Sequence, residues 1–548
     1  MKTDSTIFFG GPIYTLAESG RPARVEALAV RDGRIAAVGT RSQVQADLAA
    51  LDGCSPRLID LEGATLLPGF VDSHTHFLEW ALFLDWVDLE GVPTLEQALE
   101  KVARFAAGLP KGEWVRGGRW NKNLWERAPN RRDLDRVVPD HPVVLGSKDM
   151  HSYWLNTAAL RLVGINRDTP DPPGGEIERD DSGEPTGILR ENAAALLGGA
   201  ILGEAGPSGR LAALRKAIDR AHAMGLVGVS DMEGREAFKL FQSLDRAGEL
   251  SLRVWLYLPE ALLPQLAEVG LESGFGGANL KVAGVKAFLD GSLGSQTADM
   301  LEPFEGTQKR GIATMTPEAF DALVERASRE GLAVAVHAIG DHAVRVALDG
   351  FEKHRELRQA AGLRHRIEHL QLFDPADLPR IGRLGVVASM QPIHAPSDRD
   401  IADRYWGPRR SASAYAWRSV AEAGAVLAFG SDVPVEDCNP LGGLFAAVTR
   451  RHPEDPAREP WHPEQAVSPV QAVRAYTVGA AWAVGAERER GTLEPGKAAD
   501  FVILSEDILK AGAGGGDGNG DGEVILKAKV LGTAVAGRFV YGEARWSA

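Results

Sequence analysis

Two histidines separated by one residue, His74 and His76, end the apolar run that begins at Pro68-Gly69-Phe70-Val71. If that run is a strand, side chains alternate between faces, and residues i and i+2 point the same way. Two neutral imidazoles on one face at a strand end form half of a metal site. A metal held with one position open can activate water for hydrolysis. Further along, other apolar runs end in polar residues of the same kind. Lys286 lies in Gly284-Val285-Lys286-Ala287-Phe288, His337 follows Val334-Ala335-Val336, His369 closes Arg366-Ile367-Glu368, and Asp432 follows Phe429-Gly430-Ser431. A lone histidine after a strand is more often a satisfied polar residue than a ligand. The joint occurrence of these residues, each at a strand end, points to a metal site.

Such residues need a frame that brings distant strand ends together. The middle of the chain alternates strand and helix patterns, the mark of a parallel sheet or barrel. The strand candidates are Thr65 to Val71, Leu226 to Ser230, Leu252 to Leu258, Val282 to Phe288, Ala333 to Val336, Arg366 to Glu368, Val386 to Met390 and Val426 to Phe429. Helical patterns such as Pro317 to Glu330 and Val420 to Ala423 separate them. This count predicts an α/β fold, a (β/α)₈ TIM-type barrel whose catalytic residues sit at the C-terminal strand ends. A doubly wound parallel sheet is the competing topology.

Both ends of the chain are β-rich. Ala27 to Val30 and Arg34 to Gly39 flank Asp32-Gly33, a hairpin signal. Ala499 to Leu504, Val524 to Leu526 and Val530 to Val535 read as strands near the C-terminus. The simplest division is a small β-sandwich domain from residues 1–65 plus 485–548, flanking a hydrolase barrel at 66–484; two separate β caps are the alternative. About 85–215 is far too long for a βα loop and reads as an inserted subdomain, either a lid over the site or a structural addition. It holds Trp114, Trp120 and Trp125. The glycine-rich stretch Ala511 to Gly522 reads as a mobile loop. Its run Asp517 to Gly522 mimics an EF-hand start, but Ala528 stands where the loop needs Glu, so calcium binding is rejected.

Composition narrows the partners. The 548 residues carry a net charge of −14 without a basic block, which argues against nucleic acid and anionic membrane. Cys54 and Cys438 are far apart, so a reducing compartment is expected. The N-terminus lacks the pattern of a signal peptide, and no apolar run approaches the roughly 20 residues that span a bilayer. The expectation is a cytoplasmic protein acting on a small molecule, with a homodimer as one assembly open to it.

The order His-X-His, Lys, His, His, Asp over eight strands resembles the amidohydrolase superfamily of metal-dependent hydrolases. The C-terminal Leu493-Glu494-Pro495-Gly496-Lys497-Ala498-Ala499-Asp500-Phe501 looks like the strand returning to that superfamily's small β-sandwich. Within it the chain is most similar to the YtcJ-like branch, which includes N-substituted formamide deformylase. The branch marks are Asp149-Met150-His151-Ser152 followed by Asn156, then Thr169 to Gly175, and Pro185-Thr186-Gly187-Ile188-Leu189. Met150 stands where the branch has glycine, and the glycine-rich C-terminal insertion departs from its pattern.

Metal chemistry then assigns roles. His74, His76 and Asp432 would hold one divalent metal, His337 and His369 a second; zinc suits these donors, though manganese and iron share them. An ammonium beside a metal is repelled, and burial would favour the neutral amine of Lys286. The resemblance implies its carbamylation to a carboxylate bridging two ions; an unmodified Lys286 would leave one ion. Asp432 would also carry a proton from water to the leaving nitrogen. Trp120, His151, Asn156 and His394 are candidates for substrate contact, while His222, His354 and His452 read as surface residues. The expected reaction is cleavage of a linear amide C–N bond, in its most specific form deformylation of an N-substituted formamide. A deaminase is the alternative, and a non-catalytic scaffold on the same fold the reading from another class.

Overall fold

The computed structural model describes residues 5–17, 24–52, 56–200, 206–511 and 522–546. Cys54 and most of the glycine-rich stretch with its EF-hand-like run lie outside these residues. At the centre stand eight parallel strands, paired in chain order. They are β1 (Phe70–Thr75), β2 (Leu226–Asp231), β3 (Arg253–Pro259), β4 (Leu280–Phe288), β5 (Ala333–Ala338), β6 (Arg366–His369), β7 (Val387–Met390) and β8 (Val426–Phe429). The segment after β8 returns to β1: the amide of Asp432 donates to the His74 carbonyl at 2.8 Å, and the amide of His76 to the Val433 carbonyl at 2.9 Å. These bonds bring the first and last strand ends together and nearly close a TIM-type barrel. Its strands are buried on both faces, which explains their continuous apolar runs.

The first predicted strand, Thr65 to Val71, is two. Thr65–Pro68 pairs with Phe501–Leu504 outside the barrel, and β1 begins after Gly69. A Cβ at Gly69 would lie 2.3 Å from the Val227 side chain, so only glycine lets the chain pass between the layers. Thr65–Pro68 belongs to a mixed sheet of both chain ends, in the order Arg538–Tyr541, Val530–Val535, Phe501–Leu504, Thr65–Pro68, Ser5–Tyr14, Arg24–Arg31, Arg34–Gly39. Phe8, Phe501 and Phe539 pack edge-on in its core. The Asp32-Gly33 hairpin forms with φ of 50° and 76°, the mirror-image turn that strand twist favours. Val524 to Leu526, expected as a strand, lies instead in a short helix, Glu523–Lys527.

Between β1 and β2 a six-stranded sheet of its own spans Val87 to Glu191. Trp120 stacks on Trp125, and both meet Trp154 edge-on. Together with Leu99, Val102 and Leu134 they form this subdomain's core, so its tryptophans serve chiefly packing. Among the described residues no helix is long and apolar enough to cross a membrane.

Candidate active site at the barrel mouth

The strand ends converge as the spacing requires. His74 Nε2 lies 3.4 Å and His76 Nε2 3.5 Å from Asp432 Oδ1, so the i, i+2 histidines do reach one point. His369 Nδ1 is 4.0 Å from Asp432 Oδ2. The ring of His369 lies 4.8 Å from that of His74 and 4.5 Å from that of His337. His74, His369 and Asp432 offer donor atoms all within 4.8 Å of one another. Lys286, on β4, is 2% exposed, and its Nζ has no hydrogen-bond partner.

Second contacts orient these groups. His74 Nδ1 donates to Glu368 Oε2 at 2.5 Å, which turns Nε2 toward the cluster, where it is buried without a hydrogen-bond partner. Arg366 is paired with Glu368 and donates to Ser389 Oγ at 2.6 Å. His337 Nε2 donates to the Gly291 carbonyl at 3.0 Å, and His369 Nδ1 to Gln391 Oε1 at 2.9 Å. Asp72 accepts from the amides of His74 and Ser431, each at 3.0 Å, and from Ser431 Oγ at 2.5 Å. It thereby ties β1 to the loop bearing Asp432. Gly430 permits this, because a Cβ there would meet Asp72 Oδ1 at 2.5 Å.

Burial sets the charges. It lowers His74 to about 4, helped by the nearby Lys286 ammonium, and it drives His337 and His369 well below the ordinary range. All three are therefore neutral at pH 7, the form that binds metal. Burial would raise Asp432, but the surrounding imidazoles hold it well below the usual carboxylate range. Burial also lowers Lys286 to about 8. The neutral imidazoles of His74, His337 and His369, the ionised Asp432 and an unpaired His74 Nε2 are a donor set that fits a divalent metal; despite burial, Asp432 raises His76, which would give up its proton on joining them.

The site opens on two sides. One cavity is lined by Trp120, His151, His337, His369, His394 and Asp432; the other by His76, His151, Tyr153, Lys286, His337 and Asp432. His151 stands at the junction, its ring 5.1 Å from that of His337, and its Nδ1 donates to Glu191 Oε2 at 2.7 Å. Despite burial, the Glu191 carboxylate raises His151 to about 9. Met150, Glu191, His369 and Asp432 all have positive φ, of 59°, 48°, 73° and 61°. Backbone strain of this kind gathers at working sites. The φ of Met150 also explains why glycine suits that position.

Several sequence expectations need correction. Asn156 is fully buried and does not line either cavity. It caps the Thr157–Leu162 helix by accepting from the amides of Ala159 and Val143, and it donates to the carbonyls of Val138 and His141. Its polar atoms are thus consumed in holding the inserted subdomain. His222 and His354 are buried: His222 bridges the Leu226 carbonyl and Ser251, and His354 pairs with Asp321 at 2.9 Å. Sequence reasoning missed Asp72, Glu191, Glu368, Gln371 and Asp398, while Gln391 lies in the Met390 to His394 segment that it expected to line the pocket. Only Asp72 and Glu368 carried a signal, being charged residues inside apolar strands.

A family model described as "Amidohydrolase family" matches residues 57–541. The chain belongs to the amidohydrolase family. Within it, this amidohydrolase is 31% identical to the YtcJ protein of Bacillus subtilis, over 91% of this chain and 94% of that one. It is also 31% identical to N-substituted formamide deformylase of Arthrobacter pascens, over 90% and 92%, and 35% identical to Protein LONG AFTER FAR-RED 3 of Arabidopsis thaliana, over 90% and 86%. Among solved structures, an uncharacterized metal-dependent hydrolase from Pyrococcus furiosus superposes with a TM-score of 0.72 at 33% identity, covering 92% of this chain and all of that one. The chain is thus a metal-dependent hydrolase of the YtcJ-like branch.

Proposed function

We propose that this amidohydrolase cleaves a linear amide, in its most specific form removing the formyl group of an N-substituted formamide. The reading is carried by the convergence of His74, His76, His369 and Asp432 beside the buried Lys286, whose Nζ has no hydrogen-bond partner. His74, His76 and Asp432 would hold one ion and His337 and His369 another, zinc being the metal that such donors suit. When bound, the metal supplies an acidified water and a polarised carbonyl. Lys286 would supply a further ligand: its amine would add to carbon dioxide and release one proton, giving a carbamate whose oxygens suit a metal. Its burial favours the neutral amine that this addition needs.

Asp432 would move the proton. Its carboxylate takes one from the attacking water and delivers it to the nitrogen, which otherwise leaves as a poor amide anion. Glu368 keeps the His74 ring fixed while this happens. His151, charged and facing both cavities, contacts the substrate carbonyl. The tight grouping of His74, His369 and Asp432 favours a second reading, a one-metal deaminase.

Metal analysis of the purified protein beside a Lys286→Ala variant separates the two. About two ions per chain, falling in the variant, with formate released from an N-formyl amine, supports the amidase reading. One ion, unchanged in the variant, with ammonia released from an aminated ring and no formate, would replace it with the deaminase.

A further inference from the structure

The helix His394–Tyr405 follows β7 and lies beside the site. Its residues His394, Ser397, Asp398 and Ile401 line the catalytic cavity. Their i, i+3, i+4, i+7 spacing is one helical face. The face continues to Tyr405, whose hydroxyl donates to Asn123 of the inserted subdomain at 2.6 Å. His394 stacks parallel to His369 at 6.3 Å, so this face starts one imidazole away from the reacting centre.

Two buried polar atoms here have no partner. Gln371 Nε2 donates to His394 Nδ1 at 3.3 Å, which leaves Gln371 Oε1 and His394 Nε2 unpaired. Both residues are at least nine-tenths buried, at 4% and 5% exposure, and both line the cavity. Leaving such groups unmet is unfavourable, and a ligand that pairs with them gains by doing so. The pair offers one acceptor and one donor, whichever way the carboxamide is assigned.

Charge decides what the subsite takes. Apart from Asp432, the cavity is lined by the carboxylates Asp149, Asp398 and Glu436 and the ammonium groups Lys122 and Lys148. Lys148 is already held by Glu436 at 3.0 Å and Glu90 at 2.6 Å. Asp149 is saturated by Ser292 at 2.7 Å, Ser295 at 2.8 Å and Ser147. Asp398 receives only the Tyr415 hydroxyl, at 2.7 Å on Oδ2, among the described residues. With Glu436 engaged by the Lys148 ammonium and Asp149 by three hydroxyls, Asp398 is the lining carboxylate held by a single hydroxyl, and it lies on the same helical face as His394.

We propose that Asp398, Gln371 and His394 form a specificity subsite for a positively charged, N–H-bearing substituent of the scissile amide, an ammonium group being the simplest. This rests on the amidase reading above. Asp398 and Gln371 accept from the ammonium, and His394 holds the Gln371 carboxamide in place through its Nδ1.

The test compares two formamides of equal length, mono-N-formyl-1,5-diaminopentane and N-formylpentylamine, with the metal-loaded enzyme. The charged one should have a kcat/KM about tenfold higher or more, with most of the gain in KM. In Asp398→Asn the preference should fall to near parity, and Asp398→Glu should restore part of it. Equal rates or a preference for the neutral compound in the wild-type enzyme would overturn the subsite, as would a preference that survives in Asp398→Asn. The wild-type comparison needs no variant. If neither formamide is cleaved, the amidase reading fails, and calorimetry decides the subsite separately. Pentylamine binding about tenfold tighter than neutral pentan-1-ol, with the difference lost in Asp398→Asn, would uphold it; equal binding, or a difference kept in the variant, would overturn it.

Discussion

His74 on β1 donates through Nδ1 to Glu368 on β6 at 2.5 Å, across the barrel interior, with both side chains fully buried. This bond links the first histidine of the His-X-His pair to a carboxylate that Arg366 holds ionised. Burial alone would raise Glu368, yet the adjacent Arg366 guanidinium and His74 hold it well below the usual range. Ring orientation at the site is therefore fixed by a charge pair inside the barrel.

Glu368→Gln tests that link. The amide keeps the shape but leaves Arg366 buried without its counter-charge, which costs about 3–5 kcal/mol of stability. Metal affinity should fall about 10–100-fold, because the His74 ring loses its anchor. Urea unfolding and chelator competition measure the two effects, and a variant unchanged in both would remove Glu368 from the site.

Asp432→Asn should lower kcat by about 10²–10⁴-fold. In enzyme shown to have kept its metal, KM should change far less, since the lost carboxylate moves a proton and does not itself touch the bound amide. Steady-state kinetics on an N-formyl amine reads both; near-normal turnover would refute the proton-transfer role.

Lys286 predicts a pH dependence of stability. Its folded value of about 8 lies below the ordinary 10.5, so between these values the unfolded chain binds more protons than the folded one. Stability from this group therefore rises as pH increases through that window. The gain is about 3 kcal/mol across it, and the destabilisation is fully present below about pH 8. Urea unfolding of metal-free protein under carbon dioxide exclusion, at pH 7.5 and 10, should show the gain in wild type and its loss in Lys286→Met. Parallel pH trends in the two proteins would contradict it.

Asn156→Ala separates structure from chemistry. The variant loses a helix cap and leaves the Val143 amide and the carbonyls of Val138 and His141 unmet, so the inserted subdomain should weaken by about 2–4 kcal/mol. Activity per folded molecule should remain, because Asn156 lines neither cavity. A large loss of kcat in protein shown folded by circular dichroism would return it to the site.

Much of the barrel was legible because its evidence is local. A β-strand buried on both faces must be a short apolar run, and a catalytic strand must end in a polar group. Hence β2 to β8 lie within a few residues of their apolar runs, and His74, His76, Lys286, His337, His369 and Asp432 stand where those runs end. The first strand misled because reading Thr65 to Val71 as one run passes over Pro68-Gly69, the break between Leu66-Leu67 and Phe70-Val71. That run serves two sheets, and apolarity does not say which partner a strand joins. His222 and His354 misled for another reason: His222 bonds the Leu226 carbonyl and Ser251 beside the starts of β2 and β3, and His354 bonds Asp321 on a neighbouring helix, partners that no local pattern announces.

The sequence by itself determined the kinds of donor, their order on the strands and the hydrolytic chemistry such donors can support. Those follow from side-chain chemistry and from the two-residue period of a strand. Only the tertiary structure decided that Glu368 anchors His74, that Asn156 is a cap, and that the His394–Tyr405 helix turns Asp398 toward the cavity. These are contacts between residues distant in the chain, and their partners are set by barrel closure and by the packing of the inserted sheet over its mouth.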